Sequence, residues 1–505
     1  MAILGSGIVF LDSTVVNVAL PKIGEHLPTT FFGVLEGQSY VYNGYLLTLS
    51  ALLILAGALN DFYGRRRMFT LGLAGFGVTS ALCGIAPTME LLVLSRILQG
   101  AAGACLVPGS LSLITSTFQG EEQGRAFGLW AGASGATTIL GPFIGGILVD
   151  TISWRVAFLM NIPLLAVALW ATLKYVQESR DEQATGQFDW LGAFVVALAV
   201  GGLSFGAIYG QQREWRDPLA FIVLAMGGAA TLIFPLLMAK SRHPLVPLHL
   251  FGSRNFTVTN LSTLVIYGAL YVTFYYAPLF MQGTLGYTAA AVGIATIPGT
   301  LLLTFLSSRF GALAGRSGPR WFMAAGPAIM ALGILWLVRM PASSQPWIFR
   351  AGVPASYVPP AGYLVDFLPG FVVFGLGLAV MVAPLTTCLM TAVAARYSGL
   401  GSAINNAISR VGPQLAGAVI FVAITASFYT SMARRVPGMD VTSQDVRAQI
   451  SPLNRPGASV PANQAAAARD ASTEAFRLAM LISVVLLAGG AAINAIGIKD
   501  PPRST

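Results

Sequence analysis

An acid and a base set deep in apolar sequence are the residues best placed to do chemistry. Asp12 lies midway along the apolar run 2–20, and Arg96 stands inside the run 91–118. At about 1.5 Å per helical residue, Asp12 falls roughly 15 Å into its helix, near the centre of a bilayer about 30 Å thick. A charge there costs at least about 2.5 kcal/mol on the most lenient insertion scale, so acids at that depth serve the pathway of an ion or substrate. The plainer reading is a protonated Asp hydrogen-bonded to a neighbouring helix. Arg96 enters from the opposite side, about one and a half turns deep, and needs a partner or water. Its long side chain can reach toward Asp12, and a carboxyl set between a guanidinium and the apolar Leu11, Val15 and Val16 is suited to loading and releasing a proton. A purely structural Arg is the alternative.

A second acid, Asp61, follows the next apolar run, flanked by Gly57 and Gly64 and followed by Arg65, Arg66 and Arg67. The glycines let backbones approach and turn sharply. A carboxylate there can bind an Arg or the positive N-terminus of a facing helix, contacts worth about 0.3 to 2 kcal/mol that a rocking motion makes in one state and breaks in the other. The alternative is a solvated tight turn with orienting arginines. The run 126–149 carries Gly128, Gly132, Gly135, Gly141, Gly145 and Gly146 at spacings that let membrane helices pack closely, and Pro142 favours a kink. Glycine packing of this kind also occurs without functional meaning. Asn17, Gln38, Tyr42, Asn43, Tyr271, Tyr275, Asn405 and Asn406 are candidates to line a central cavity. Aromatic faces with one acid suit a lipophilic cation, although the same tyrosines fit an interface belt or simple packing.

These residues must be positioned by membrane helices. Of 505 residues, 55% are hydrophobic and 10% charged, far from the roughly 25% charge of soluble domains. Fourteen apolar runs follow one another: 2–20, 38–58, 68–86, 91–118, 126–149, 156–176, 190–209, 219–238, 256–281, 289–310, 321–338, 364–392, 400–428 and 476–498. The fold class expected is therefore an all-α integral membrane protein. The first run lacks the basic start and cleavage site of a signal peptide and reads as a retained helix. Arg65, Arg66, Arg67, Arg125, Lys174, Arg242, Arg316 and Arg320 fall in loops on the side of the termini, whereas Lys22, Arg155, Arg213 and Arg216 fall opposite. That bias predicts cytoplasmic termini, and the net charge of +9 reflects orientation rather than a nucleic-acid surface.

Several chemistries are disfavoured. Cys83, Cys105 and Cys388 lie inside apolar runs and make no disulfide framework. His26, His243 and His249 match no metal spacing, so no metal site is expected. No lysine follows a glycine in a phosphate-binding loop, so energy is expected from a gradient rather than ATP. No paired carboxylates and no nucleophile beside a base point to an enzyme. The stretch 429–474 is Ala-, Pro- and Arg-rich and reads as a long, partly disordered outer loop, with a short helix over 465–475.

The turn after the second run, Gly57 to Arg67, shares Gly, Leu, Gly and Arg offsets with the turn after the tenth, Gly311 to Arg320. Setting the seventh and eighth runs aside gives a six, two and six arrangement: residues 1–178, an inserted pair at 188–240, a second half at 255–498 and a tail at 499–505. Parallel halves of this kind build a midplane site in secondary transporters. The chain here resembles the fourteen-helix drug:proton antiporter family of the major facilitator superfamily. The resemblance is carried by Leu11-Asp12-Ser13-Thr14 with Asn17 and Pro21, by the Gly57 to Arg67 turn, by Arg96-Ile97-Leu98-Gln99-Gly100 and by Gly141-Pro142-Phe143-Ile144-Gly145-Gly146. Trp154-Arg155 with Asn161 and Pro163, and Asn405-Asn406 with Arg410, add to it. Tyr40 and Phe62 depart from the pattern, and Gly315 stands where the first turn has Asp61.

The resemblance implies a major facilitator fold and a proton-coupled antiporter that exports small lipophilic or cationic compounds, such as drugs or antiseptics, by alternating access. Asp12 and Arg96 would couple the proton. The Asp61 turn would stabilise one conformation against Arg125 and the start of the thirteenth helix near Gly399. The glycine-rich fifth helix would seal the two halves. It implies no cofactor beyond the proton gradient; its partners would be the small-molecule cargo, protons and the bilayer, with no nucleic acid. The expected unit is a monomer, multi-pass in a bacterial cell membrane. Export of one endogenous metabolite or lipid is a reading in the same fold, and a non-transporting scaffold or sensor is one from another class. A single deep acid predicts few coupled protons and a monovalent or neutral cargo.

Overall fold

The computed structural model describes residues 1–30, 34–179, 187–213, 215–350, 352–457 and 459–500, with the side chains of Pro21, residues 34–36, residues 138–140, Pro142, Phe143, Gly146, Asp150, Tyr271, Gln444, Asp445 and Ala448 outside that description. Apolar sequence of bilayer length can satisfy its backbone in lipid only as helix, and helices fill the chain. The first set is α1 (Ala2–His26), α2 (Val34–Tyr63), α3 (Arg65–Ile85), α4 (Met89–Thr117), α5 (Gly120–Thr151), α6 (Val156–Leu159) and α7 (Asn161–Tyr175). Then come α8 (Trp190–Gln212) and α9 (Pro218–Lys240). The last set is α10 (Arg254–Leu279), α11 (Ala289–Ser317), α12 (Arg320–Val338), α13 (Leu368–Thr391), α14 (Ser398–Arg435), the short α15 (Gln444–Gln449) and α16 (Ala462–Gly497). Among the described residues, 13 helices are long and apolar enough to cross a membrane. The 32-residue α5 is the remaining long helix, and α6 and α7 together make one span.

Within the first set, α2 packs on α4, α3 on α4 and α7, and α1 on α5. Helices α8 and α9 pack on each other through Gly202 and Gly227, and α8 leans on α2 and α14. In the last set α12 packs on α13 and α16, and α10 on α14 and α16. The two sets meet along α2 with α14 and α5 with α11.

The repeat read from the turns extends into three dimensions. Only Gly64, at φ 110°, separates α2 from α3, and Gly318, at φ 91°, follows α11, a backbone region that favours glycine. Beyond each glycine an acid from after the set's last membrane helix caps the next helix. Glu178 accepts from the backbone N–H groups of Arg66 and Arg67 at 3.0 Å, and Asp500 accepts from that of Arg320 at 3.0 Å.

The outer stretch 429–474 departs from the expected loop. Helix α14 continues to Arg435 and α16 begins at Ala462. Apolarity ends near Phe428, yet the helices persist because their polar ends bind each other. Arg435 reaches Asp470 at 3.1 Å and Glu474 at 2.5 Å, and Ser431 donates to Glu474 at 2.6 Å. The connecting chain folds back, with Leu453 fully buried and the Tyr429 hydroxyl donating to the Ile450 carbonyl at 3.2 Å. The helix expected over 465–475 is the first part of α16.

Candidate functional site

Asp12 and Arg96 are both completely buried and paired. Arg96 Nη1 donates to Asp12 Oδ2 at 2.5 Å and to Gln99 Oε1 at 2.7 Å, and its Nε donates to the Val41 carbonyl at 3.1 Å. Asp12 Oδ1 accepts from Asn161 Nδ2 at 2.9 Å and from Gln99 Nε2 at 3.2 Å. Both amides also donate to Ser80 Oγ, at 3.0 and 3.1 Å, and Ser80 donates to the Phe158 carbonyl at 3.0 Å. The Arg96 guanidinium lies 4.0 Å from the centroid of the Tyr45 ring, whose hydroxyl donates to the Val9 carbonyl at 3.1 Å. Side chains of α4 and α7 thus bind the α1 carboxylate directly, and α2 and α3 supply the partners of those side chains.

Local sequence explains the convergence. Arg96 and Gln99 are three residues apart and so share a face of α4. Pro163 cannot donate to the carbonyl of Leu159, and the helix is interrupted at Met160, which leaves Asn161 to open α7 beside Asp12. Gln99, Asn161, Ser80 and Tyr45 were not among the site residues expected from sequence. Gln99 and Asn161 lay inside the motifs that carried the resemblance, and the helical offset from Arg96 was the available signal for Gln99. Ser80 and Tyr45 gave none, because their role depends on packing between helices. Arg96 Nη2 and Asn161 Oδ1 are buried with no hydrogen-bond partner among the described residues, so the cluster retains one guanidinium nitrogen able to donate and one amide oxygen able to accept.

The second acid forms a latch between the two sets. Asp61 lies in the last turn of α2 rather than in a loop and is buried. Its Oδ1 accepts from Arg65 Nη2 at 3.2 Å, from Arg65 Nε at 3.3 Å and from the Gly399 N–H at 3.1 Å, and its Oδ2 accepts from the Leu400 N–H at 2.8 Å. Arg65 also donates to the Ala395 carbonyl. Asp61 therefore caps the N-terminus of α14, as expected from the resemblance, where free N–H groups and the helix dipole favour an anion. Arg125 does not join it. That residue is exposed at the head of α5, near Glu121, and Arg65, one turn beyond Asp61, fills the cationic role. Arg66 turns outward and donates to the Leu173 carbonyl at 2.7 Å. A side chain at Gly57 would come within 2.6 Å of the Gly399 carbonyl, so glycine there is what lets α2 and α14 touch.

The counterpart contact between α5 and α11 is built differently. With Gly315 in place of an acid, Arg316 reaches Glu121 at 2.6 Å, and both are exposed. The glycines of α5 divide by neighbour. A Cβ at Gly124 would lie 2.6 Å from the Gly311 carbonyl, one at Gly132 2.8 Å from the Thr304 carbonyl, and one at Gly135 2.8 Å from Leu303. Gly141 and Gly145 instead face Thr14 and Val15 of α1, beside Asp12, so they do not close the contact between the two sets. The surroundings of Pro142 and Gly146 lie outside the described residues.

The cavity candidates differ in burial and in partners. Asn17 and Tyr275 are exposed, and Tyr42 is half-buried. Gln38 donates to the Leu20 carbonyl at 2.9 Å, Asn43 to Ser39 at 3.0 Å and Asn406 to the Ser402 carbonyl at 2.9 Å. Asn405 is buried against α10, donating to Asn260 at 3.1 Å and Thr263 at 2.9 Å, and so holds helices together rather than lining a cavity. The side chain of Tyr271 lies outside the described residues.

Long apolar helices in two sets, joined at two glycine crossings with a charged pair enclosed in one of them, define a polytopic membrane transporter. The model of the Major Facilitator Superfamily matches residues 2–417. The chain is 30% identical over 501 residues to the multidrug resistance protein Stp of Mycobacterium tuberculosis, covering 96% of this chain and 88% of that protein. It is 31% identical over 424 residues to the tetracenomycin C resistance and export protein of Streptomyces glaucescens, covering 83% and 74%. Among solved structures, the human organic anion transporter MFSD10 aligns with a TM-score of 0.56 at 14% identity, over 96% of this chain and 97% of that one. The proton:xylose symporter XylE aligns at 0.53 with 16% identity, over 96% and 93%. The chain belongs to the Major Facilitator Superfamily and is a multi-pass transporter of the bacterial plasma membrane, not an enzyme.

Proposed function

We propose that this chain is a proton-coupled antiporter that exports small lipophilic compounds, and that Asp12 carries the proton. The observation that supports it best is the enclosed Asp12–Arg96 pair with its amide shell. A buried ion pair is poor evidence for stability alone, since desolvation offsets much of its attraction. Protonation at an Asp12 oxygen discharges the pair, and Arg96 keeps Gln99 Oε1, the Val41 carbonyl and the Tyr45 ring as partners. Asp12 can therefore lose its charge without stranding the guanidinium, as a reversible proton carrier requires.

The coupling route is α5, which touches α1 beside Asp12 through Gly141 and Gly145 and touches α11 through Gly124, Gly132 and Gly135. A change in the seating of α1 then bears on the contact between the sets. In the conformation described, the Asp61 latch and the α5–α11 crossing are both closed. With cytoplasmic termini, this is the state shut toward the cytoplasm, in which protons arrive from outside and cargo leaves. The names of the two relatives, a multidrug resistance protein and a tetracenomycin C resistance and export protein, support drugs or antibiotics as cargo. The working unit is a monomer that needs no cofactor beyond the proton gradient.

The test is reconstitution in vesicles with an imposed pH gradient and a panel of lipophilic dyes and antibiotics, comparing wild type with Asp12→Asn. Gradient-driven accumulation should occur in wild type and vanish in the variant. Equal accumulation in both would refute Asp12 as the carrier.

A further inference from the structure

Arg410 is a charge that the proton site and the latch do not use. It lies 12 residues past Ser398, the start of α14, or about 18 Å along the helix, at membrane depth. It is half-buried and has no ion pair or hydrogen bond among the described residues. Its direction follows from helix geometry. Ala403, seven residues earlier, faces Gly57 of α2, and seven residues at about 100° each fall about 20° short of two full turns. Arg410 therefore stands on the stripe of α14 turned toward α2, about three turns deeper than the latch at Gly399 and Leu400. Arg96 has Asp12 to neutralise it, whereas Arg410 has no counterion among the described residues.

An unpaired guanidinium at this depth is costly, and a charge retained there marks a substrate pathway. We propose that Arg410 is a cargo-recognition residue, binding compounds that carry an anionic or strongly hydrogen-bond-accepting group on a lipophilic body and disfavouring permanent cations. The proposal rests on reading the chain as an exporter with its cargo between the two sets. It narrows the expected lipophilic or cationic cargo to the lipophilic, acceptor-bearing side. Guanidinium is suited to the task because it stays charged and presents several donors in one plane.

Tetraphenylborate and tetraphenylphosphonium, which share a shape and differ in charge sign, provide the test. Equilibrium binding of each to the purified full-length protein is compared with binding to protein-free micelles. Wild type should favour the borate by about tenfold or more, as expected of an interaction dominated by one poorly screened charge. Arg410→Lys should keep most of that preference. Arg410→Gln and Arg410→Met should each reduce it to within about threefold, and having two neutral variants guards against one that fails to fold. A preference unchanged in the neutral variants, a wild type that favours the phosphonium, or no binding of either ion would each overturn the proposal. The measurement uses no gradient, so its failure leaves the Asp12 coupling intact, and loss of coupling in Asp12→Asn leaves this result standing.

Discussion

Asp61→Asn should open the closed side of the transporter. Of the four hydrogen bonds Asp61 accepts, the two from Gly399 and Leu400 cross between the sets and bias the equilibrium directly, while the two from Arg65 hold the guanidinium that donates to the Ala395 carbonyl across the same contact. Asn can accept at one oxygen and brings no negative charge to the N-terminus of α14. A charge-assisted hydrogen bond is worth about 1.5 to 3 kcal/mol, and a partly buried charge at a helix end up to about 2 kcal/mol. Relief from desolvating the carboxylate returns part of that loss, and a net loss of about 2 kcal/mol shifts the ratio of closed to open states by about 30-fold. Spin labels at Tyr63→Cys and Ser317→Cys, exposed at the ends of α2 and α11, would report it as a distance distribution once Cys83, Cys105 and Cys388 are replaced by Ala. The short-distance population should dominate in wild type and give way to a longer one in Asp61→Asn. Glu121→Gln, which removes the exposed pair with Arg316, should leave the distribution almost unchanged. Equal distributions in wild type and Asp61→Asn would refute the latch.

Other perturbations follow from the same geometry. Gly132→Leu places a side chain against the Thr304 backbone and should abolish transport while the protein still folds, whereas Gly293→Ala, with nothing within 4 Å, should transport normally; equal transport by both would remove the α5–α11 crossing from the mechanism. Asn161→Ala deletes two buried hydrogen bonds and should lower stability by about 1 to 3 kcal/mol, read as a fall in the detergent melting temperature. Gln99→Ala should behave similarly, and the double variant should cost less than the sum of the two, because both amides serve Asp12 and Ser80.

Much of this was legible in the sequence because lipid leaves the backbone few options. The run lengths locate the membrane helices, the cost of burying charge singles out Asp12 and Arg96, and the flanking glycines and arginines single out Asp61. The docking of Asp61 on the start of α14 followed from the resemblance. What stayed hidden depends on rotation about helix axes and on contacts far apart in sequence. Nothing local tells Asn405 to face α10 rather than a cavity, or Gly141 to face α1 while Gly135 faces α11. The choice of Arg65 over Arg125 depends on the single-residue turn at Gly64, which sets Arg65 back against Asp61. The outer ends of α14 and α16 are polar in sequence and so resemble loop, and their helical order comes from the pairing of Arg435 with Asp470 and Glu474.

The central claim is that one buried carboxylate exchanges its proton against cargo. Its most direct test is to impose a cargo gradient across vesicles at equal pH and follow lumenal pH with a trapped dye. Wild type should move protons against the cargo flow. Asp12→Asn should still exchange labelled for unlabelled cargo while lumenal pH stays flat. Cargo-driven proton movement that persists in Asp12→Asn would contradict the account.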